Sequence, residues 1–368
     1  MSGESRSALS VPNAVISMLT FVPGEMGGSE TYALNLLQEL GDISSVNVSV
    51  LFPRPYDDGS SPESRKLIST IPGRSASHRL GTIARTLRSR PGRHRIRAAD
   101  VVHYPFSIPT PQPVASVPYI QTILDVQHRD MPHLFSRSER AFRRFAYDLP
   151  AKRADAIITI SHFSKSRIVS VLGVDPDRVH VAYLGHRAPA APPNHGDRED
   201  FLLFPARMWA HKNHDRLIEA VALLRNQRPT LRLVLTGDPN GLRVATPEWV
   251  ENRGLVSRGE LNDLYRRTAC LVFPSLYEGF GLPPIEAMSA GCPTAVATAG
   301  ALPEVCGSAS VYFDPNNPAD IARGIAEALN DSSRLSALGP KHAALFSWKR
   351  CAEAHAAVYL DVARSRLA

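Results

Sequence analysis

The sequence predicts an α/β fold of two domains, each built on a parallel sheet. Three observations point there. Short apolar runs alternate with helix-period stretches along most of the chain. A proline-rich break divides that alternation into two parts of similar size. The 368 residues are more than one core of ordinary size takes.

The elements follow in order. The apolar run 14–22 is short, contains Ser17 and Thr20, and is followed by no small-residue cleavage site. It reads as a buried strand over 14–21 rather than a secretory leader. A glycine-rich turn leads into an amphipathic helix over 29–40, with Leu34, Leu37 and Leu40 at helical spacing. Strands are predicted at 46–51, 101–104, 119–124, 156–160 and 179–182, with helices between several of them. Residues 185–200 contain Pro189, Pro192 and Pro193, two Ala-Pro steps and no apolar period, which is linker composition. The alternation then restarts: strand 201–205, helix 214–224, strand 231–236, helix 260–268, strand 270–273, helix 283–290, strand 294–297 and helix 318–329. A last helix over 348–362 starts after Ser347, a suitable N-cap.

Composition removes several classes. Hydrophobic residues make up 43%, as in a globular protein. No apolar run reaches the roughly 18 residues of a membrane span. Cys270, Cys292, Cys306 and Cys351 form no CxxC pair and no zinc-spaced cluster, so reduced thiols and a cytoplasmic location are expected. The formal charge is +7, from 36 Arg but only 6 Lys among the basic residues, a bias of high-GC bacterial coding. Residues 74–97 hold eight Arg and no acid. Arg137, Arg140, Arg143, Arg144, Lys152 and Arg153 form a second basic cluster. These are either solvated helix faces or a surface for anionic lipid headgroups or a phosphorylated acceptor. Nucleic acid is not expected, because no aromatic residues interleave with the basic run.

Three strings carry the chemistry. The first is Glu278-Gly279-Phe280-Gly281-Leu282-Pro283-Pro284-Ile285-Glu286, between a predicted strand and helix. Pro283 and Pro284 suit a first helical turn, and the glycines admit a ligand close to the backbone. Free N–H groups at the helix start receive phosphate oxygens. Glu286, placed in the first turn, can take two ribose hydroxyls, and Glu278 on the loop can reach a sugar. The second string is Arg207-Met208-Trp209-Ala210-His211-Lys212-Asn213, after the first strand of the second half. The third is Gly24-Glu25-Met26-Gly27-Gly28-Ser29-Glu30. It lacks the GxGxxG spacing of a dinucleotide site, and no ribose-binding acid closes the second strand; Asp57 comes only later.

The first string resembles the E-x7-E signature of retaining glycosyltransferases of the GT-B fold, specifically family 4. Leu261-Asn262-Asp263-Leu264-Tyr265, Phe273-Pro274-Ser275, Glu286-Ala287-Met288-Ser289-Ala290-Gly291 and Gly300-Ala301-Leu302-Pro303-Glu304-Val305 extend the likeness. It covers most of 201–360 and runs more weakly through the first half. The resemblance implies two Rossmann-like domains facing each other across a cleft. Residues 1–186 would shape the acceptor pocket, 187–346 would bind the nucleotide sugar, and 347–368 would return to the first domain. It also implies transfer of a hexose of mannose or glucose type from a GDP- or UDP-linked donor, with retention and without a metal. Arg207 and Lys212 would contact the leaving diphosphate. Gly27 and Gly28 would face the donor phosphate. Glu278, with backbone N–H groups of Gly279, Phe280, Gly281 and Leu282, would hold the sugar, Glu286 the ribose, and 250–255 the base. Glu278→Gln would then cut turnover with a modest loss of nucleotide affinity. Acceptors of lipid-linked glycan or natural-product type fit.

Other residues keep two readings. Family members place a His-Asp pair after the fourth strand; here that His position is Leu124, and His128 lies four residues on. His128 either supplies an imidazole to the site or caps a loop. His103 is either at a cleft edge or buried and hydrogen-bonded. Ser161 fits an N-cap. Asp175-Pro176-Asp177 matches the DxD metal motif of a different transferase fold but reads as turn chemistry. The competing functions are a nucleotide-sugar epimerase on the same fold and a non-catalytic scaffold protein. Intact Arg207, Lys212, Glu278 and Glu286 argue against the scaffold.

Overall fold

The computed structural model describes residues 11–22, 26–52, 90–187, 198–237 and 247–365. Gly24, Glu25, Asp57, residues 74–89 of the basic run and residues 188–197 of the proline-rich break lie outside them. Among the described residues no helix is long and apolar enough to cross a membrane. The chain forms two compact units. One takes Met1–Ile160, Lys165–Ala182 and Trp348–Ala368; the other takes Ser161–Ser164 and Tyr183–Ser347. Ser161–Ser164 and residues 183–186, read in the sequence as parts of the first domain, group with the second unit.

In the first unit six parallel strands run in the order β2-β1-β3-β4-β5-β6. They are β1 (Asn13–Ser17), β2 (Asn47–Leu51), β3 (Val101–Tyr104), β4 (Tyr119–Thr122), β5 (Ala156–Thr159) and β6 (Val179–Val181). The middle strands are buried along their whole length, as parallel strands covered on both faces must be. The first strand stops earlier than its hydrophobicity suggests. Met18 N still donates to Leu51 O at 2.9 Å, and then Phe21 N closes a turn on Met18 O at 2.9 Å. Leu19 and Phe21 remain buried in that turn, so the apolar run outlasts the strand. Helix α1 (Gly28–Leu40) buries Tyr32, Ala33, Leu36 and Leu40, while Leu34 and Leu37 are only half-buried. The stripe is rotated from the predicted one because the helix packs on the last helix as well as over the sheet.

That last helix, Trp348–Ser365, belongs to the first unit and is fastened by a buried polar chain whose directions can be worked out. Burial pushes the His355 imidazole down to about 4, so it is neutral. Its Nδ1 faces the Cys351 carbonyl at 2.7 Å and must donate, which makes Nε2 an acceptor. Tyr32 O–H therefore donates to His355 Nε2 (2.8 Å), and Thr122 O–H donates to the Tyr32 oxygen (2.9 Å). His103 Nε2–H then donates to Thr122 Oγ1 (2.7 Å), and Tyr359 O–H donates to His103 Nδ1 (2.7 Å). Every member has a partner, as a buried network requires. His103 is thus the buried, hydrogen-bonded histidine and lines no cleft edge.

In the second unit the strands are β7 (Glu199–Pro205), β8 (Arg232–Thr236), β9 (Val250–Asn252), β10 (Thr268–Phe273), β11 (Thr294–Ala297) and β12 (Val311–Phe313). They are parallel, in the order β12-β11-β10-β7-β8-β9. The sequence missed β9 and β12, which are too short to show a period, and the helix Ser332–Ala343, whose Gly339 and Pro340 read as breakers. Gly339 is there because the helix lies close to its neighbour: a Cβ would stand 3.0 Å from the Met288 carbonyl oxygen.

Candidate active site

The order β9-β8-β7-β10-β11-β12 reverses its winding between β7 and β10. In open α/β sheets the connections there part to opposite faces and leave a crevice at the strands' carboxyl ends. Residues 207–213 follow β7 and residues 274–281 follow β10, so two of the three strings meet at this point.

The loop after β7 is tightly held. Gly237, at φ +127, lies so near that a Cβ would sit 2.5 Å from the Ala206 carbonyl oxygen. A 3-10 turn, Ala210–Lys212, ends at Asn213 in the left-handed region (φ 66). The Asn213 amide donates to Pro274 O (3.1 Å) and Pro315 O (2.7 Å), and Leu276 N donates to His211 O (2.7 Å). These bonds tie the two loops together and set Lys212 Nζ 2.6 Å from Glu278 Oε1. The Lys212 ammonium also stands 5.4 Å from the centre of the Phe273 ring. Arg207 is half-buried, with its guanidinium 5.5 Å from the Trp209 ring centre, and among the described residues it makes no ion pair. His211 and His214 are neutral. Burial, and then the charge of Lys212, pushes each imidazole down to about 4. Lys212 and Glu278 cancel, so Arg207 leaves a surplus positive charge for an anion.

The Glu278 backbone is fixed from the other side. Ala301 N donates to Glu278 O at 2.9 Å, and Gly300 (φ +60) lies directly on that peptide. Ser161 Oγ accepts from Ser164 N (3.0 Å), the expected cap, and donates to Gly279 O (2.8 Å). Phe280 is buried against Phe346, ring centres 5.6 Å apart. Gly281 (φ 112) then starts helix α2 (Leu282–Ser289) with no side-chain cap. Pro283 and Pro284 have no N–H, so Gly281 and Leu282 carry the open donors of this helix end.

Glu286 differs from expectation. With Gly281 at the cap it is the fifth helical residue, beyond the first turn, where no acid lies. It is 8% exposed and engaged at both oxygens. Arg258 Nη2 lies 2.7 Å from Oε1, and Tyr265 O–H donates to Oε2 at 3.2 Å. Burial, and then Glu286, holds the Tyr265 phenol well above its ordinary value. Arg258 and Tyr265 were not singled out in the sequence as site residues, although Tyr265 stood in the quoted 261–265 string. Residues 250–255 hold β9 and a turn in which Gly254 N donates to Asn252 Oδ1 (3.0 Å), with Leu255 78% exposed.

The remaining sites lie in the first unit. Gly27 (φ 56) precedes α1, and Gly28 has open space where a Cβ would be. His128 is 3% exposed, and its Nε2–H donates to Asp148 Oδ1 at 3.0 Å. The Asp175 carboxylate accepts from Asp177 N (2.9 Å) and caps a 3-10 turn, which is the turn reading of the Asp-Pro-Asp step. All four cysteines are unpaired and buried. Among the described residues no three His, Cys, Asp or Glu side chains gather as a metal set.

Comparison with known proteins gives the family. The family description "Glycosyl transferases group 1" matches residues 190–343, and "Glycosyltransferase Family 4" matches residues 26–186. The chain belongs to the group 1, family 4 glycosyltransferases. An O-antigen chain mannosyltransferase B of Escherichia coli is 31% identical over 222 residues, 54% of this chain and 58% of that protein. An MMP alpha-(1->4)-mannosyltransferase of Mycolicibacterium hassiacum is 33% identical over 224 residues, 57% of this chain and 54% of that protein. The chain thus matches little more than half the length of these relatives. The Anabaena HepE structure in complex with UDP and glucose superposes with a TM-score of 0.64 at 16% identity, covering 95% of this chain and 99% of that one. At that identity the likeness concerns the fold, which is the two-domain GT-B fold.

Proposed function

We propose that this family 4 protein is a retaining hexosyltransferase. It moves mannose or glucose from a GDP- or UDP-linked donor to an acceptor hydroxyl of lipid-linked glycan or natural-product type. One observation carries the reading. Lys212 and Glu278 face each other at 2.6 Å on the two switch-point loops, beside the uncapped start of α2. A cation, a carboxylate and free N–H donors are what a glycosyl diphosphate needs in one place. The mannosyltransferase names of the relatives support the sugar class, and the UDP-bound neighbour supports a nucleotide donor.

In the proposed mechanism the bond from the anomeric carbon to the β-phosphate oxygen breaks first. Arg207 and Lys212 stabilise the charge that grows on the departing diphosphate, together with the Gly281 and Leu282 N–H groups. Two fixed cations supply what a metal would otherwise contribute, so no metal or other cofactor is required. Glu278 and the backbone of Gly279 and Phe280 orient the sugar hydroxyls. Glu286 holds the ribose, exchanging its Arg258 and Tyr265 partners for it in part, and 250–255 receives the base. The acceptor oxygen bonds to the anomeric carbon on the face the phosphate leaves. Its proton passes to the departing phosphate oxygen, so configuration is retained and charge balances. His128 serves acceptor placement. The reduced cysteines fit a cytoplasmic protein, and the arginines of 137–144 fit contact with an anionic membrane face.

The test is calorimetric titration with UDP, GDP, ADP and their common sugar conjugates, with chelator present. Micromolar binding of one nucleotide, lost in Arg207→Ala, is expected. Binding of none of them by the parent protein overturns the reading.

A further inference from the structure

We infer that a basic cavity in the first unit is a phosphate site, which holds a phosphorylated acceptor through Arg137, Arg140 and Arg144 beside His128. The inference rests on the transferase reading and adds the chemistry of the acceptor. The cavity, of about 470 Å³, is lined by His128, Arg129, Arg137, Arg140, Arg144 and Phe145 among others, and among the described residues no carboxylate lines it.

The arginines are arranged, not scattered. Arg137, Arg140 and Arg144 are spaced i, i+3 and i+7 along the helix Arg137–Arg143 and the π-turn Arg144–Asp148 that continues it. That spacing places them along one face. Like charges so placed destabilise a helix unless an anion answers them. The nearest acid on the same helix is committed elsewhere: Glu139 Oε2 accepts from Ser136 N (2.8 Å) and closes a capping box. Among the described residues the three arginines make no ion pair. Asp148 is buried behind the wall, with Oδ1 3.0 Å from His128 Nε2 and Oδ2 2.8 Å from Arg129 Nε. A cavity with this many unanswered guanidinium forks suits a phosphate, which accepts paired hydrogen bonds from each.

His128 supplies the second half of the argument. Its Nε2–H is taken by Asp148, which leaves Nδ1 as the free ring nitrogen. That nitrogen is buried and has no hydrogen-bond partner among the described residues. A buried polar atom left unpaired is costly, and a polar group of a ligand in the cavity would answer it. Phe142, Phe145 and Leu149 are 56%, 68% and 40% exposed on the same segment, which leaves room for an apolar tail. A soluble phosphorylated polyol and a phospholipid headgroup both present this chemistry.

The experiment uses the full chain with its donor site saturated by the nucleoside diphosphate it binds. Pyrophosphate is titrated by calorimetry, and vesicles of phosphatidylcholine with and without phosphatidic acid are assayed by co-sedimentation. The variants are Arg140→Ala/Arg144→Ala and Arg140→Lys/Arg144→Lys, both at exposed positions. The Ala pair is expected to lose at least about tenfold in phosphate affinity and the Lys pair less, with nucleotide affinity unchanged. Saturation by free pyrophosphate identifies a soluble phosphorylated acceptor. Binding only to phosphatidic acid vesicles identifies a lipid headgroup. No binding in either arm, or equal binding by parent and Ala pair, overturns the inference. A parent that binds phosphate at this cavity but no nucleotide overturns the transferase reading instead.

Discussion

Glu278→Gln separates the two functions assigned to the switch-point loops. In the free protein Lys212 Nζ and Glu278 Oε1 are 2.6 Å apart, with 14% and 13% of their side chains exposed. An arriving diphosphate must share the ammonium with that carboxylate. Unit charges about 3 Å apart at an effective dielectric of about 20 attract by ~5 kcal/mol. Desolvation offsets most of this, leaving a net coupling on the order of 1 kcal/mol. Glutamine keeps the shape and still accepts a hydrogen bond from Lys212, but it removes the competing charge. Nucleoside diphosphate affinity is therefore expected to rise about three- to tenfold, which corresponds to ~0.7–1.4 kcal/mol. Transfer is expected to fall by about a hundredfold or more, because the sugar loses its carboxylate partner. From sequence alone a modest loss of nucleotide affinity was expected; the ion pair reverses the sign. Calorimetry with the preferred nucleotide and a single-turnover transfer assay read the two effects separately. A loss of nucleotide affinity would refute the competition for Lys212, and undiminished transfer would remove Glu278 from the reaction.

Gly300→Ala is expected to destabilise the second unit by about 2–4 kcal/mol, from a left-handed backbone and from overpacking. The new Cβ would press on the Glu278 peptide, 2.7 Å from its nitrogen, so the thermal midpoint and transfer should fall together; wild-type values for both would show that Gly300 does not position Glu278. Acid should also weaken the fold in a defined window. His211, His214 and His355 sit at about 4 when folded, against an ordinary 6.5. The unfolded chain therefore binds protons first, and stability is fully present above about pH 6.5 and lost down to about pH 4. At pH 5 each buried imidazole costs about 2 kcal/mol, so the denaturant midpoint should drop steeply between pH 7 and 5. A flat profile there would refute the buried neutral assignment.

The sequence by itself determined the class of fold, the order of its main elements and the strings that meet at the switch point. The reason is local: strand and helix periods, glycine and proline chemistry, and N-caps are written in near neighbours. It named Lys212 and Glu278 but not their pairing, because residues 66 positions apart meet only when β7 and β10 lie side by side. It placed Glu286 correctly on a helix but one residue nearer its start, because a helix boundary is not marked to the residue in sequence. The Arg258 and Tyr265 contacts of Glu286 depend on how α2 packs against its neighbour, and the fate of His103 depends on the last helix, which fastens it from 256 residues away. A basic cluster was legible in 137–144, but a stripe and a surface patch have the same composition. Only the fold, by burying His128 and Asp148 behind those arginines, made a cavity of them.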